Sequence, residues 1–174
     1  KGIAVNDKME TNVPGIYAIG DVTGRIQLAH VASMEGIVAA SNAMGHERRM
    51  SYRAVPSCVY TVPEVASVGL TEKQAREQGY DVRVGKYAFR GLGKAMAMNE
   101  REGLVKVVSE ARYGEILGVH IVGPHATDLI GEPVSAIQLE STIEEMTHTI
   151  HAHPTLTEAL LEAYEDTERM AIHK

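Results

Sequence analysis

Cysteine occurs once in these 174 residues, at Cys58, phenylalanine once and tryptophan not at all. A single thiol excludes an internal disulfide and any dithiol pair carried by this chain itself, and it suits a reducing compartment. With aromatics at 5%, the core must be filled mostly by aliphatic side chains. No apolar run approaches the roughly 18 residues that suggest a membrane span. Basic clusters are missing too: 17 lysines and arginines stand against 23 acids, a net charge of −6. That balance argues against binding to a phosphate backbone.

What remains is the composition of a globular protein, 44% hydrophobic and 23% charged, long enough for one domain or for one domain plus part of another. The opening "KGIAVNDKMETNVPGIYAIGDV" reads as the interior of a longer protein. Within it, "GIYAIG" (15–20) is a short apolar run after a turn signal, expected to be a buried strand ending at Asp21. Apolar residues then recur at helical spacing (Leu28, Val31, Ala32, Ile37, Val38, Ala40), which predicts a helix over 28–43 with Gly45 as its stop. The charged, irregular "GHERRMSYR" is the candidate boundary between a first part, 1–47, and a second, 48–174. Beyond it the rhythm turns to β in "SCVYT", "VRVGKYAF", "LVKVVSE" and "EILGVHIVG", the last two joined by "ARYG" as an antiparallel hairpin. Between the first two lies "TEKQAREQG", with Thr71 and Gln74 in capping-box positions and Gly79 as a stop. After Pro124 the pattern is helical through "ATDLIGEPVSAIQLE" and "STIEEMTH", where Ser141 and Glu144 are read as a second capping box, and a last helix is expected over about 156–171. The expected class is α+β: an antiparallel sheet with flanking helices behind a short α/β part.

The chemistry concentrates in "HTIHAHPTLTEALLEAYE". His148, His151 and His153 have spacings that put two imidazoles on one helical face, so a metal site is one reading. Pro154 disfavours helix at His153, however, and leaves a third ligand unset. A second reading needs no function: Thr155 and Glu158 form a T-x-x-E capping box, with histidines nearby at the surface. In the third, Pro154 holds His153 extended ahead of the helix and Glu158 reaches back to one ring nitrogen. That fixes the tautomer and leaves the other nitrogen as a base. The residues alone leave all three open.

The same stretch, in "HAHPTLTEALLEA", resembles the C-terminal signature of dihydrolipoamide dehydrogenases, within the flavin-dependent pyridine nucleotide–disulfide oxidoreductases. "TNVPGIYAIGDV" is similar to that family's second flavin-binding motif, "QLAHVASMEG" to its flavin-contacting helix, "PSCVYTVPEVASVGLTE" to the first strand of its interface domain and "GEILGVHIVGPHATDLI" to that domain's central hairpin. "YAFRGLGKAMAMNE" is a looser match, so no specificity reading rests on it. The resemblance runs through essentially the whole chain, but the family's G-x-G-x-x-G fingerprint, redox cysteine pair and nicotinamide-binding domain are not in it. It implies the tail of an FAD-binding domain followed by the interface, or dimerisation, domain.

Carried over residue by residue, the resemblance implies that Asp21 accepts hydrogen bonds from the ribityl hydroxyls of FAD. Leu28, Ala29 and His30 begin a helix whose backbone N–H groups face the flavin ring. His153 is the acid–base residue for dihydrolipoamide and Glu158 orients it; His151 is structural and Cys58 an inert core residue. The intact enzyme would pass electrons from dihydrolipoamide through its disulfide and FAD to NAD. It would work as a homodimer, with a lipoyl-bearing protein of a 2-oxo acid dehydrogenase or glycine-cleavage complex as partner. Its place would be the bacterial cytoplasm, or alternatively the mitochondrial matrix. The chain alone is expected to bind neither FAD nor NAD and to mediate dimerisation. A glutathione or mercuric reductase type of enzyme is the nearest alternative, although mercuric reductases usually carry C-terminal cysteines that this chain lacks. A histidine-cluster metal protein is the other.

Overall fold

The structure, a computed structural model, describes residues 1–173; Lys174, last residue of the expected second domain, lies outside them. The chain divides into two compact units, Lys1–Tyr52 and a second beginning at Arg53, and the division falls inside "GHERRMSYR".

The first unit is built around helix α1, Ala29–Ala43. Gly45 ends it in the left-handed region (φ 81°). There the Gly45 and His46 N–H groups donate to Asn42 O and Ser41 O at 3.0 and 2.9 Å, so two otherwise orphaned carbonyls are satisfied. A small core of Val5, Met9, Ala18, Val38 and Ala39 packs beneath it. The strand expected at 15–20 is not formed. Tyr17 makes one isolated bridge with Glu10, Ile16 and Ile19 are exposed, and Gly20–Thr23 is a single 3-10 turn. A strand exists only through its ladder partners, and among the described residues this run has a single bridge, to Glu10, closed by the Thr11 and Ala18 N–H groups donating to Ile16 O and Met9 O.

The second unit is a five-stranded, wholly antiparallel sheet with helices around it. Its strands are β1 (Ser57–Val59), β2 (Glu64–Gly69), β3 (Val82–Ala88), β4 (Leu104–Glu110) and β5 (Ile116–Gly123), in the order β1-β2-β5-β4-β3. Each β run read from sequence is present, but "PSCVYTVPEVASVGLTE" supplies two strands rather than one, paired Cys58 to Ala66. The hairpin through "ARYG" forms as expected, with the Glu110 N–H donating to Glu115 O at 2.8 Å and Gly114 in the left-handed region. Alternation places Ala66, Val68, Tyr87, Val105, Val107, Val119 and Ile121 in one buried cluster.

The helices are α2 (Glu72–Glu77), α3 (Gly93–Met98), α4 (Ala126–Leu129), α5 (Gly131–Gln138), α6 (Ile143–His148) and α7 (Glu158–Thr167). Thr71 and Gln74 cap α2 reciprocally, as read. The second box is displaced by one residue: Thr142 and Glu145 cap α6, not Ser141 and Glu144. The cause is α5, whose last turn is closed by the Ser141 N–H donating to Ala136 O at 2.9 Å with Glu140 at φ 58°. Ser141 is spent ending one helix and cannot start the next.

Helix α7 fills the core with Ala159, Leu160, Ala163 and Tyr164. It lies directly on β3, where a Cβ added at Gly85 would sit 2.0 Å from Ala163 O and 2.7 Å from Thr167 N. The Lys86 N–H donates to Asp166 Oδ2 at 2.7 Å beside this contact. Together these fix the height and rotation of α7, and so of Glu158 at its first position.

Candidate active site

Helix α7 begins at Glu158, with Thr157 at its N-cap, later than the expected start. The Thr155–Glu158 box is only half formed. The Thr155 N–H donates to Glu158 Oε2 at 2.9 Å, but Thr155 Oγ1 turns away and donates to Ala152 O at 2.6 Å. The chain between α6 and α7 is therefore held to the helix by the Glu158 carboxylate. Its other oxygen, Oε1, lies 2.8 Å from Nδ1 of His153. A carboxylate only accepts, so the proton of the neutral imidazole sits on Nδ1 and Nε2 carries the lone pair.

Exposure separates the two partners: the His153 side chain is 75% exposed and that of Glu158 20%. Burial pushes the Glu158 carboxyl up, but the Thr155 N–H, His153 and His173 outweigh it and hold the group below its ordinary value. At neutral pH Glu158 is thus a carboxylate, able to stabilise an imidazolium next to it. A rigid helix start, a turn that presents one imidazole and an ionised orienting group are the parts of a general base.

His151, two residues earlier, has a different setting. Its Nδ1 lies 2.9 Å from Thr149 O and its Nε2 3.1 Å from Glu132 Oε1, and its side chain is 3% exposed. His153 and His151 therefore point to separate carboxylates, and among the described residues no three His, Cys, Asp or Glu side chains come together to hold a metal. Glu132, in the first turn of α5, is a site residue that sequence reasoning passed over, since an acid at a helix start already has a sufficient electrostatic reason to be there. Cys58 is half-buried against the core. Burial, with Glu64 and Asp128 nearby, raises its thiol pKa, the opposite of what a nucleophilic cysteine needs.

The residues read as flavin contacts all lie in the first unit. Asp21 is an exposed residue in the first turn of the 3-10 segment. Leu28 is the N-cap of α1, extended at φ −133°, and its side chain makes no capping hydrogen bond. Ala29 and His30 are the exposed first residues of the helix. A helix start carries N–H donors and partial positive charge, which fits an electron-rich ring, and an exposed carboxylate fits hydroxyl groups. The donor set present here therefore fits the FAD contacts expected of it.

A residue not singled out from the sequence fixes this corner. Glu35, 1% exposed on α1, accepts from the Gly20 N–H at 2.6 Å and from the Tyr52 hydroxyl at 2.7 Å. It pins the turn that carries Asp21 to the helix that begins at Ala29. Its signal was present in the helical period, since Glu35 falls four residues after Val31 and three before Val38, both buried.

Residues 55–164 match the sequence model described as pyridine nucleotide-disulphide oxidoreductase, dimerisation domain, and residues 1–36 match that described as pyridine nucleotide-disulphide oxidoreductase. The chain is 48% identical over 173 residues to a dihydrolipoyl dehydrogenase of Bacillus subtilis, covering 99% of this chain and 38% of the relative. It is 52% identical over 161 residues to that of Chlamydia muridarum, covering 92% and 35%. Among solved structures, LpdA of Mycobacterium tuberculosis superposes with a TM-score of 0.88 at 31% identity, over 94% of this chain and 36% of that one. The chain thus spans a little over a third of the length of the curated relatives it matches.

Proposed function

Because this chain belongs to the pyridine nucleotide-disulphide oxidoreductase family, dimerisation domain included, we propose that it is the C-terminal part of a dihydrolipoamide dehydrogenase. The observation that carries the proposal is the His153–Glu158 pair, 2.8 Å apart on that domain, in a chain whose relatives bear that enzyme's name over nearly all of its length. In the whole protein His153 Nε2 takes a proton from dihydrolipoamide. A free thiol with a pKa near ~8.5 is only a few per cent thiolate at neutral pH, so the base matters. Glu158 holds Nδ1–H and stabilises the imidazolium that results. FAD, when bound, supplies the two-electron chemistry that links the enzyme disulfide to NAD. Asp21 and the start of α1 are the residues of this chain that would hold it. The working unit of this proposal is a homodimer in the cytoplasm, joined through the second unit, with a lipoyl-bearing protein as its partner.

The test is His153→Ala in the full-length flavoprotein. Dihydrolipoamide oxidation is expected to fall by about 10²–10⁴-fold, the usual worth of a positioned base, while NADH oxidation by an artificial electron acceptor persists. Turnover of dihydrolipoamide near the parent rate would remove His153 from this role.

A further inference from the structure

His151 has two polar neighbours, and both can only accept. Thr149 O faces Nδ1 at 2.9 Å and the Glu132 carboxylate faces Nε2 at 3.1 Å. A neutral imidazole carries one N–H, so one of these contacts would set lone pair against lone pair. Bulk solvent reaches little of the ring to relieve it, since the side chain is 3% exposed. One extra proton satisfies both contacts. A carboxylic acid ordinarily releases its proton near ~4.3 and an imidazole near ~6.5, so the imidazole is the group that keeps it. We propose that His151 is a positioning residue: an imidazolium that donates one N–H to Thr149 O and the other to Glu132, clamping the turn that presents His153 to the start of α5. The proposal rests on the reading of His153 as the base.

The clamp connects three elements. Thr149 is already tied to α6 through its Oγ1, which donates to Glu145 O at 2.8 Å. Glu132 belongs to the first turn of α5, and Glu158 secures the far end of the turn on α7. His153 is thus fixed from both sides, by Glu158 directly and by His151 two residues away. The charged and titratable groups facing His151 are Glu132 from α5 and Glu158 and Glu165 from α7, with Tyr164 beside Glu132. The side-chain hydrogen bond to Glu132 raises the His151 pKa, against the opposing effect of burial. Below the ordinary value of ~6.5 the clamp is complete, and it is lost as pH rises through the raised value.

The experiment uses the full-length flavoenzyme with 13C-labelled histidine. The His151 resonance is identified by its absence in His151→Gln. In the parent it is expected to titrate above ~6.5, and in Glu132→Gln to return to that value or below it. In the dihydrolipoamide assay His151→Ala is expected to lower kcat by about ten- to a hundredfold with KM little changed, as befits a base displaced by an ångström or less. Glu132→Gln is the conservative variant: its amide can donate to a neutral imidazole, so most of the parent kcat is retained and the alkaline loss due to His151 disappears. A parent His151 that titrates at or below ~6.5 overturns the imidazolium clamp. Parental kcat in His151→Ala overturns the positioning role. Should His151→Ala fail to bind flavin or fold, an alkaline limb in Glu132→Gln identical to the parent's is the contrary result. Absence of any dihydrolipoamide turnover in the parent would overturn the proposed function instead, while the titration would still judge the clamp.

Discussion

His120 offers the counterpart to His151. It sits half-buried on β5, with Nε2 3.1 Å from Leu70 O and Nδ1 3.0 Å from Ser67 Oγ. Leu70 O only accepts, so Nε2 carries the proton; Ser67 can donate to Nδ1, and a neutral ring satisfies both contacts. Burial lowers its pKa, Leu70 O opposes the shift and Lys106 adds to it. For a depressed histidine the folded state binds fewer protons than the unfolded one. Its contribution is present above the ordinary ~6.5 and is lost as pH falls below it. His120→Ala is expected to cost about 1–3 kcal/mol at pH 8, by leaving a part-buried carbonyl and hydroxyl without their partner. The penalty should shrink toward pH 5, as measured by denaturant titration of the full-length protein. A penalty that grew with acidity would reverse the assignment. By contrast, His153→Ala removes an imidazole that is 75% exposed and should change stability by no more than about 0.5 kcal/mol. All of these histidines are visible in the sequence, and "HAHP" singles out two of them. Their roles were not separable there, because the carboxylate that His151 meets is Glu132, 19 residues away.

At the scale of elements, α7 depends on the absence of a side chain at Gly85. A methyl group there would meet Ala163 O at 2.0 Å, far inside van der Waals contact, and it would meet backbone rather than a flexible side-chain end. Either α7 lifts off β3 or the strand bends. Gly85→Ala is expected to cost more than ~3 kcal/mol, or to prevent folding, because overpacking against backbone has no rotamer to relax into. Thermal unfolding within a few degrees of the parent would show that α7 and β3 do not approach as described. How well each element could be read follows the same logic of local against distant causes. β4 and β5 are runs rich in valine and isoleucine that pair with each other across a short turn, so their sequences defined them to within a residue. Helix ends marked by glycine, at Gly45 and Gly79, were legible as well. Those closed by Glu140 and Arg169 in the left-handed region, at φ 58° and 60°, were not, since neither residue type announces a stop. That is why the sequence carries the last helix beyond Thr167 and places the second capping box at Ser141 and Glu144.

The two units differ in how much structure supports them. Among the described residues the first has a core cluster of Val5, Met9, Ala18, Val38 and Ala39, while Ile16, Ile19, Val22 and Ile37 remain 40–54% exposed. The second has a large core cluster that runs from Ala66 to Tyr164 and a smaller one of Ala75, Val82, Val108 and Leu117. Apolar burial is the main favourable term in folding, and a unit of about fifty residues is at the lower limit of what can bury enough of it. The run at 15–20 looks like a strand because its composition is that of a strand inside a larger sheet. It lacks the neighbours that would make it one, and relatives of which this chain covers 38% and 35% have room for them. Local opening should therefore begin in the first unit. In hydrogen exchange on the 174-residue chain, amides of α1 are expected to exchange at least ~100-fold faster than those of β4, β5 and α7, because a gap of about 2.7 kcal/mol in opening free energy corresponds to that ratio. In the full-length flavoprotein, where the proposed function gives Asp21 and the start of α1 a bound FAD to hold, the same α1 amides should slow toward those of the sheet. Equal protection of α1 and β5 in the 174-residue chain would mean that the small core suffices by itself, and the exposed isoleucines would then need another explanation.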